Sequence, residues 1–155
     1  MIDHIQNFTN TLPDWLQWLG VVLAGAIPFI ESYIGASIGI IAGLHPVVAV
    51  LAAVTGNFIT MLALVTIAHR TRKRFTTQSD SPSPRQARLK RAFDRYGVAG
   101  VSLVGQTILP SQLTSAALVS FGASKQHVIV WQSVSIVLWG ILFALITTGA
   151  FAFFH

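Results

Sequence analysis

The chain has 155 residues and no cysteine, which excludes a disulfide scaffold and a thiolate metal site. Charge is scarce too. Charged residues make up 10% of the chain, against about 25% in an ordinary soluble domain. With 53% hydrophobic residues and a mean hydropathy of +0.66, there is too little polar surface to face water on all sides. No Lys or Arg precedes Arg70, and the N-terminus (Met1-Ile2-Asp3-His4) lacks the basic region of a cleavable leader. We therefore expect insertion to rely on the spans themselves. Also missing are a Ser-His-Asp order, a phosphate-binding glycine loop, paired embedded carboxylates and metal-ligand spacing. An enzyme is not expected, nor is any cofactor.

What charge there is lies together. Nine of the ten Lys and Arg residues fall between Arg70 and Arg95, and Lys125 is the tenth. Apolar blocks at 15–68 and 96–154 flank this stretch. Positive charge near membrane ends resists translocation, so the stretch is expected on the cytoplasmic side. A net charge of +5 raises nucleic acid as a partner, but a run tethered at both ends to spans meets anionic headgroups first. The expected location is the cytoplasmic (inner) membrane of a bacterium, with multiple passes.

The first block reads as a broken helix followed by a span. Leu12-Pro13-Asp14 suits a helix start, and Trp15 and Trp18 suit a membrane interface. From residue 15 to Leu44 a single helix would be about 45 Å long, against a hydrocarbon core of about 30 Å. Pro28 and Glu31 interrupt it at the middle. These features predict a re-entrant hairpin: half-helices at 15–27 and 32–44 around a bend at Ile27-Pro28-Phe29-Ile30-Glu31. Gly35, Gly39 and Gly43 line one face of the returning half, where small residues permit close packing. Residues 47–68 then form a span of about 33 Å, with Asn57 in its middle.

The connecting segment, 69–95, is expected to be a cytoplasmic basic loop ending in an interfacial helix. Thr76 to Pro84 is polar and proline-punctuated, and reads as disordered. Beyond it, Leu89, Ala92, Phe93 and Tyr96 follow helical spacing, while Arg85, Arg88, Lys90, Arg91 and Arg95 fill the rest of the wheel. The second block repeats the first. A short half runs from Gly97 to Leu109, Pro110 breaks it, and Leu113 to Gly122 returns. Ala123 to His127 reads as a polar turn before a span from Val128 to Phe154.

Counting crossings inverts one block relative to the other, with both termini outside. Transporters of this kind place their site near the midplane between broken helices. Two continuous spans per block would instead put Lys125 outside and both termini inside. The expected class is an all-α integral membrane protein of two inverted repeats, forming a single domain.

Ala26-Ile27-Pro28-Phe29-Ile30-Glu31, leading into a glycine-closed helix, resembles the first embedded motif of the small multidrug export protein family. That family is similar in turn to the DedA/VTT membrane superfamily. Phe93-Asp94-Arg95-Tyr96-Gly97, with Gly105 to Pro110 and Gly122, resembles the superfamily's second hairpin. The resemblance covers about residues 20–150 and rests largely on Gly, Pro and aliphatic positions. It implies a paired re-entrant fold, a transport or scrambling role, and an embedded acidic residue that maps onto Glu31. DedA proteins carry arginines around the second proline, where this chain has Gln106 and Gln112. The embedded carboxyl is thus expected to face amides rather than cations.

Glu31 is the one acidic residue expected deep in the membrane, where a charge costs roughly 2.5–3.5 kcal/mol on insertion scales. It reads as a carboxyl that exchanges a proton or cation, or as one that bonds the exposed backbone of the hairpin tip. Gln106, Thr107, Ser111, Gln112, Thr114 and Ser115 surround Pro110. They line a substrate path or satisfy backbone groups freed by the proline. Asn57 and Pro28 complete the candidate set.

Three functions fit: efflux of small amphipathic or cationic compounds, lipid translocation, or assembly without transport. Efflux leads. Polar groups near lipid, notably Asn57, Gln106 and Gln112, and small-residue faces also predict a homo-oligomer.

Overall fold

The computed structural model describes residues 4, 7, 11–13, 16–75, 84–105 and 109–154, with backbone only at 72–75, 86, 151 and 154. Gln106, Thr107, Asp14, Trp15 and the segment 76–83 lie outside the described residues. Those described form six helices and no strand: α1 (Gln17–Ala26), α2 (Glu31–Ile41), α3 (Pro46–Phe75), α4 (Pro84–Val104), α5 (Ser111–Ser120) and α6 (Lys125–Phe154).

Two of the helices are long and apolar enough to cross a membrane. Pro46–Thr71 and Lys125–Ala150 each have a mean hydropathy of 2.2, yet only 33% and 28% of their apolar windows are buried. Leu51, Ile59, Leu138, Leu145 and Ile146 stand on the outside. A soluble protein of this size would hide such a surface. By contrast α1 and α2, of 10 and 11 residues, rise only about 15 Å each, half the hydrocarbon thickness.

Chain contacts divide the molecule into two compact units, one of Met1–Ile59 with Ile136–His155 and one of Thr60–Ser135. In the first unit α1 and α2 form an antiparallel hairpin. A Cβ on Gly35 would lie 3.4 Å from the Gly25 backbone, and one on Gly39 would lie 3.0 Å from Val21. The start of α3 packs against this pair at backbone range. A Cβ on Gly25 would strike the Ala53 carbonyl oxygen, and one on Gly56 would strike that of Val22. Val21, Ala36, Ala52 and Ala53 form the core of the seam. The later part of α6 joins by hydrogen bonds, with Ser32 Oγ donating to the Ile136 carbonyl at 2.8 Å and Ser37 Oγ lying 2.9 Å from Thr147 Oγ1. Tyr33 adds a ring contact to Phe143 at 4.9 Å.

In the second unit the amphipathic limb of α4 covers α5. Leu89 is fully buried, and Phe93 meets Phe121 with ring centroids 6.2 Å apart. The two limbs of α4 meet at Gly97, whose φ of 66° and ψ of −169° bend the chain. Only glycine adopts that conformation readily.

The two units share an element pattern down to single residues. Both α2 and α5 end in the same capping motif. Leu44 N–H bonds Gly39 O at 3.0 Å and Gly43 N–H bonds Ile40 O at 3.0 Å; Ala123 and Gly122 repeat this on Leu118 and Val119 at 3.0 and 3.1 Å. A 30-residue helix follows each cap. At the offset that separates Gly43 from Gly122, six of the seven buried positions described in α3 fall on the six of α6, while buried Ala52 falls on half-buried Trp131. Ala49 matches Val128, Ala53 matches Gln132, Gly56 matches Ser135, Asn57 matches Ile136, Met61 matches Gly140 and Val65 matches Ala144.

Four sequence expectations change. Gly43 belongs to no packing face within the chain, since a Cβ there would meet nothing within 4 Å, and its φ of +95° makes it a cap. The segment expected as loop from residue 69 stays helical through Phe75, because Arg and Lys are good helix formers. The polar turn at 123–127 shrinks, since α6 begins at Lys125 with Ser124 Oγ accepting from His127 N–H at 3.2 Å. The returning halves also end sooner, at Ile41 and Ser120.

Candidate functional site

The tip of the first hairpin is a tight bend. Pro28, which cannot donate a backbone hydrogen bond, follows the last residues of α1, and the turn closes through Ile30 N–H to Ile27 O at 3.2 Å. Phe29 and Glu31 both adopt positive φ, +80° and +59°, each at a cost of about 1 kcal/mol or more for a non-glycine residue. Such strain persists only where surrounding contacts fix it. Here Ile30 is buried with Ala24 and Ile38, and Glu31 is held by a side-chain bond. The bend turns the Glu31 carboxyl inward, 1% exposed, where Asn57 Nδ2 donates to its Oε2 at 3.0 Å. Asn57 is itself fully buried and directly follows Gly56, where α3 meets the Val22 backbone of α1.

Glu31 and Asn57, singled out separately in the sequence, are thus one pair, and Pro28 is part of the bend that makes it. Asn57 of α3 supplies an amide opposite Glu31. Asn57 and Gln112 are both buried within the chain.

In the second unit Pro110 stands at the start of α5. Thr114 Oγ1 donates to the Leu109 carbonyl at 3.1 Å and Ser115 Oγ to that of Ser111 at 2.6 Å. These two hydroxyls bond the backbone beside the break. Gln112 is buried on the same helix.

The sequence reading passed over three further buried polar residues of this unit: Ser102, Gln132 and Ser135. Among the described residues, neither amide atom of Gln132 nor the Ser102 hydroxyl has a hydrogen-bond partner. A glutamine held that way in an apolar surround costs a few kcal/mol unless water or a ligand meets it. The signal lay in register. Gln132 falls where the first unit has Ala53, so a seam position has become polar.

Arg85, Arg88, Lys90, Arg91 and Arg95 all lie on the exposed side of α4. Lys90 Nζ pairs with Asp94 at 2.7 Å and stands 6.0 and 5.9 Å from the Phe93 and Phe121 rings. Among the described residues, no group of three or more His, Cys, Asp or Glu is placed to hold a metal ion. Comparison of the chain with protein-family models, curated proteins and solved structures finds no match.

Proposed function

We propose that this chain is a multi-pass membrane transport protein of two inverted repeats, each a re-entrant hairpin followed by a span. Its work in this reading is efflux of small amphipathic or cationic compounds, with the Glu31–Asn57 pair exchanging a proton or a substrate cation. The observation that carries the reading is that pair. A carboxyl hydrogen-bonded to a buried amide, at the strained tip of a broken helix, sits inside a molecule whose outer surface is apolar. Embedded ionisable groups of that kind mark ion or substrate pathways by default. The half-thickness of α1 and α2 supports hairpins that turn back, and the shared buried register of α3 and α6 supports a repeat.

Lipid translocation is the second reading. The polar, buried Gln132 and Ser102 of the second unit favour it, since they offer hydrogen bonds to a headgroup moving past apolar surface.

Purified protein in liposomes with an imposed proton gradient tests both. A fluorescent lipophilic cation should accumulate against its gradient with the native chain. With Glu31→Gln, which keeps size and hydrogen bonding but removes titration, gradient-driven accumulation should vanish while passive exchange persists. Full gradient-driven flux in that variant would sink the carboxyl's role. Movement of a labelled phospholipid without any cation flux would hand the function to the second reading.

A further inference from the structure

We propose that the elbow of α4 at Gly97 binds one anionic phospholipid, an acyl chain in its cavity and the phosphate on Arg95. The bend leaves a cavity of about 400 Å³ lined by Leu89, Ala92, Tyr96, Gly100, Val101 and Val104. Every side chain there is apolar save the Tyr96 hydroxyl. Its shape depends on two glycines. Gly97 makes the turn, and at Gly100 a Cβ would lie 2.6 Å from that of Tyr96, so the limbs close only because none is present. Gly105 also lines the cavity, and a Cβ there would lie 3.2 Å from Val101.

Charge at the rim selects the headgroup. The Arg95 guanidinium carbon stands 5.2 Å from the centroid of the Tyr96 ring, which lines the cavity. Asp94 is the one acidic residue in α4, and Lys90 occupies it with bonds of 2.7 and 3.0 Å. Arg85, Arg88, Arg91 and Arg95 are exposed and have no carboxylate partner among the described residues. An apolar cavity beside unpaired guanidinium groups is complementary to a molecule with a hydrocarbon tail and a phosphate. Arg suits phosphate through its paired N–H donors. A free phosphate would leave the cavity empty, and a zwitterionic lipid would leave part of the positive rim unanswered.

This inference needs the chain to reside in a membrane but not to transport anything. The test is native mass spectrometry of the full chain, released from lipid discs of phosphatidylglycerol and phosphatidylcholine in equal parts. The native chain should retain one phosphatidylglycerol in preference to phosphatidylcholine, and excess inorganic phosphate should not displace it. Arg95→Gln should lower that preference about fivefold, the effect of one basic group at the surface. Ala92→Trp fills the cavity without altering charge and should lower retention of either lipid by about tenfold or more. Val104→Trp, at an exposed position on the cavity wall, should do the same if the first variant fails to fold. Unchanged retention with a filled cavity, or equal retention of both lipids by the native chain, overturns the proposal. So does a second copy of the chain taking the elbow in place of lipid. A chain that stays soluble without detergent would instead defeat the membrane reading itself.

Discussion

The seam of the first unit is glycine and alanine, and the matching seam positions of the second are glutamine, serine and threonine. Gly35, Ala36, Ala53 and Gly56 correspond at one offset to Thr114, Ser115, Gln132 and Ser135, and all eight are buried. One backbone plan is thus filled in two ways. In the first, helices touch backbone to backbone, and the Glu31–Asn57 pair is buried beside them. In the second, neutral polar side chains fill those positions, and Gln132 keeps unsatisfied hydrogen-bonding capacity inside among the described residues. A tight apolar seam confines an ionisable group to one geometry, whereas a polar seam accommodates water and rearranges at lower cost.

The largest effect should come from adding one carbon to the tight seam. Gly56→Ala drives a methyl into the Val22 carbonyl, so α1 and α3 must separate. We expect destabilisation of about 3 kcal/mol or more, the range of severe overpacking. Ser135→Ala at the matching position removes only a hydroxyl and should cost less than about 1.5 kcal/mol. Thermal unfolding in mild detergent, read by size-exclusion recovery, compares the two directly. Equal losses would mean that the seams do not differ in tightness, and the comparison breaks.

A middle-sized effect separates the two buried amides. Asn57→Leu removes a donor from Glu31 and should cost about 1–3 kcal/mol, as for a buried acceptor left short. Gln132→Leu replaces an amide without a partner among the described residues with an apolar group of similar volume. It should be neutral or stabilising by up to about 1 kcal/mol. A double-mutant cycle of Asn57→Leu with Glu31→Gln should show coupling of at least about 0.5 kcal/mol. Were Gln132→Leu as damaging as Asn57→Leu, the second seam would be held by that amide rather than opened by it.

Much of this was legible in the residues. Pro28 and Pro110 announced two breaks, and a hydrophobic run too long for one crossing announced a hairpin. Glu31 and Asn57 each stood out as polar in an apolar run. Their meeting did not, because it depends on positive φ at Phe29 and Glu31, residue types that rarely adopt it. Gln132 was invisible for a different reason. One glutamine in a long apolar helix looks ordinary until it is laid against Ala53 in register. At Arg70 to Phe75 composition misled, since a change from apolar to basic residues does not end a helix, which here runs on to Phe75.

The smallest effect tests whether the shared plan is real. Gly43 and Gly122 have φ of +95° and +111° and close α2 and α5 with the same pair of backbone hydrogen bonds. Nothing lies within 4 Å of a Cβ built on Gly43, and Gly122 is exposed. Alanine at either should therefore cost only the left-handed backbone penalty, about 1 kcal/mol. The two variants should lower the unfolding midpoint by the same small amount, although the seams they cap differ in chemistry. A clear inequality would show that one cap is also clamped by packing, and the repeat would then describe chain trace but not energetics. Asn at each position, which tolerates the left-handed region better than Ala, should recover part of both losses and tie them to the backbone.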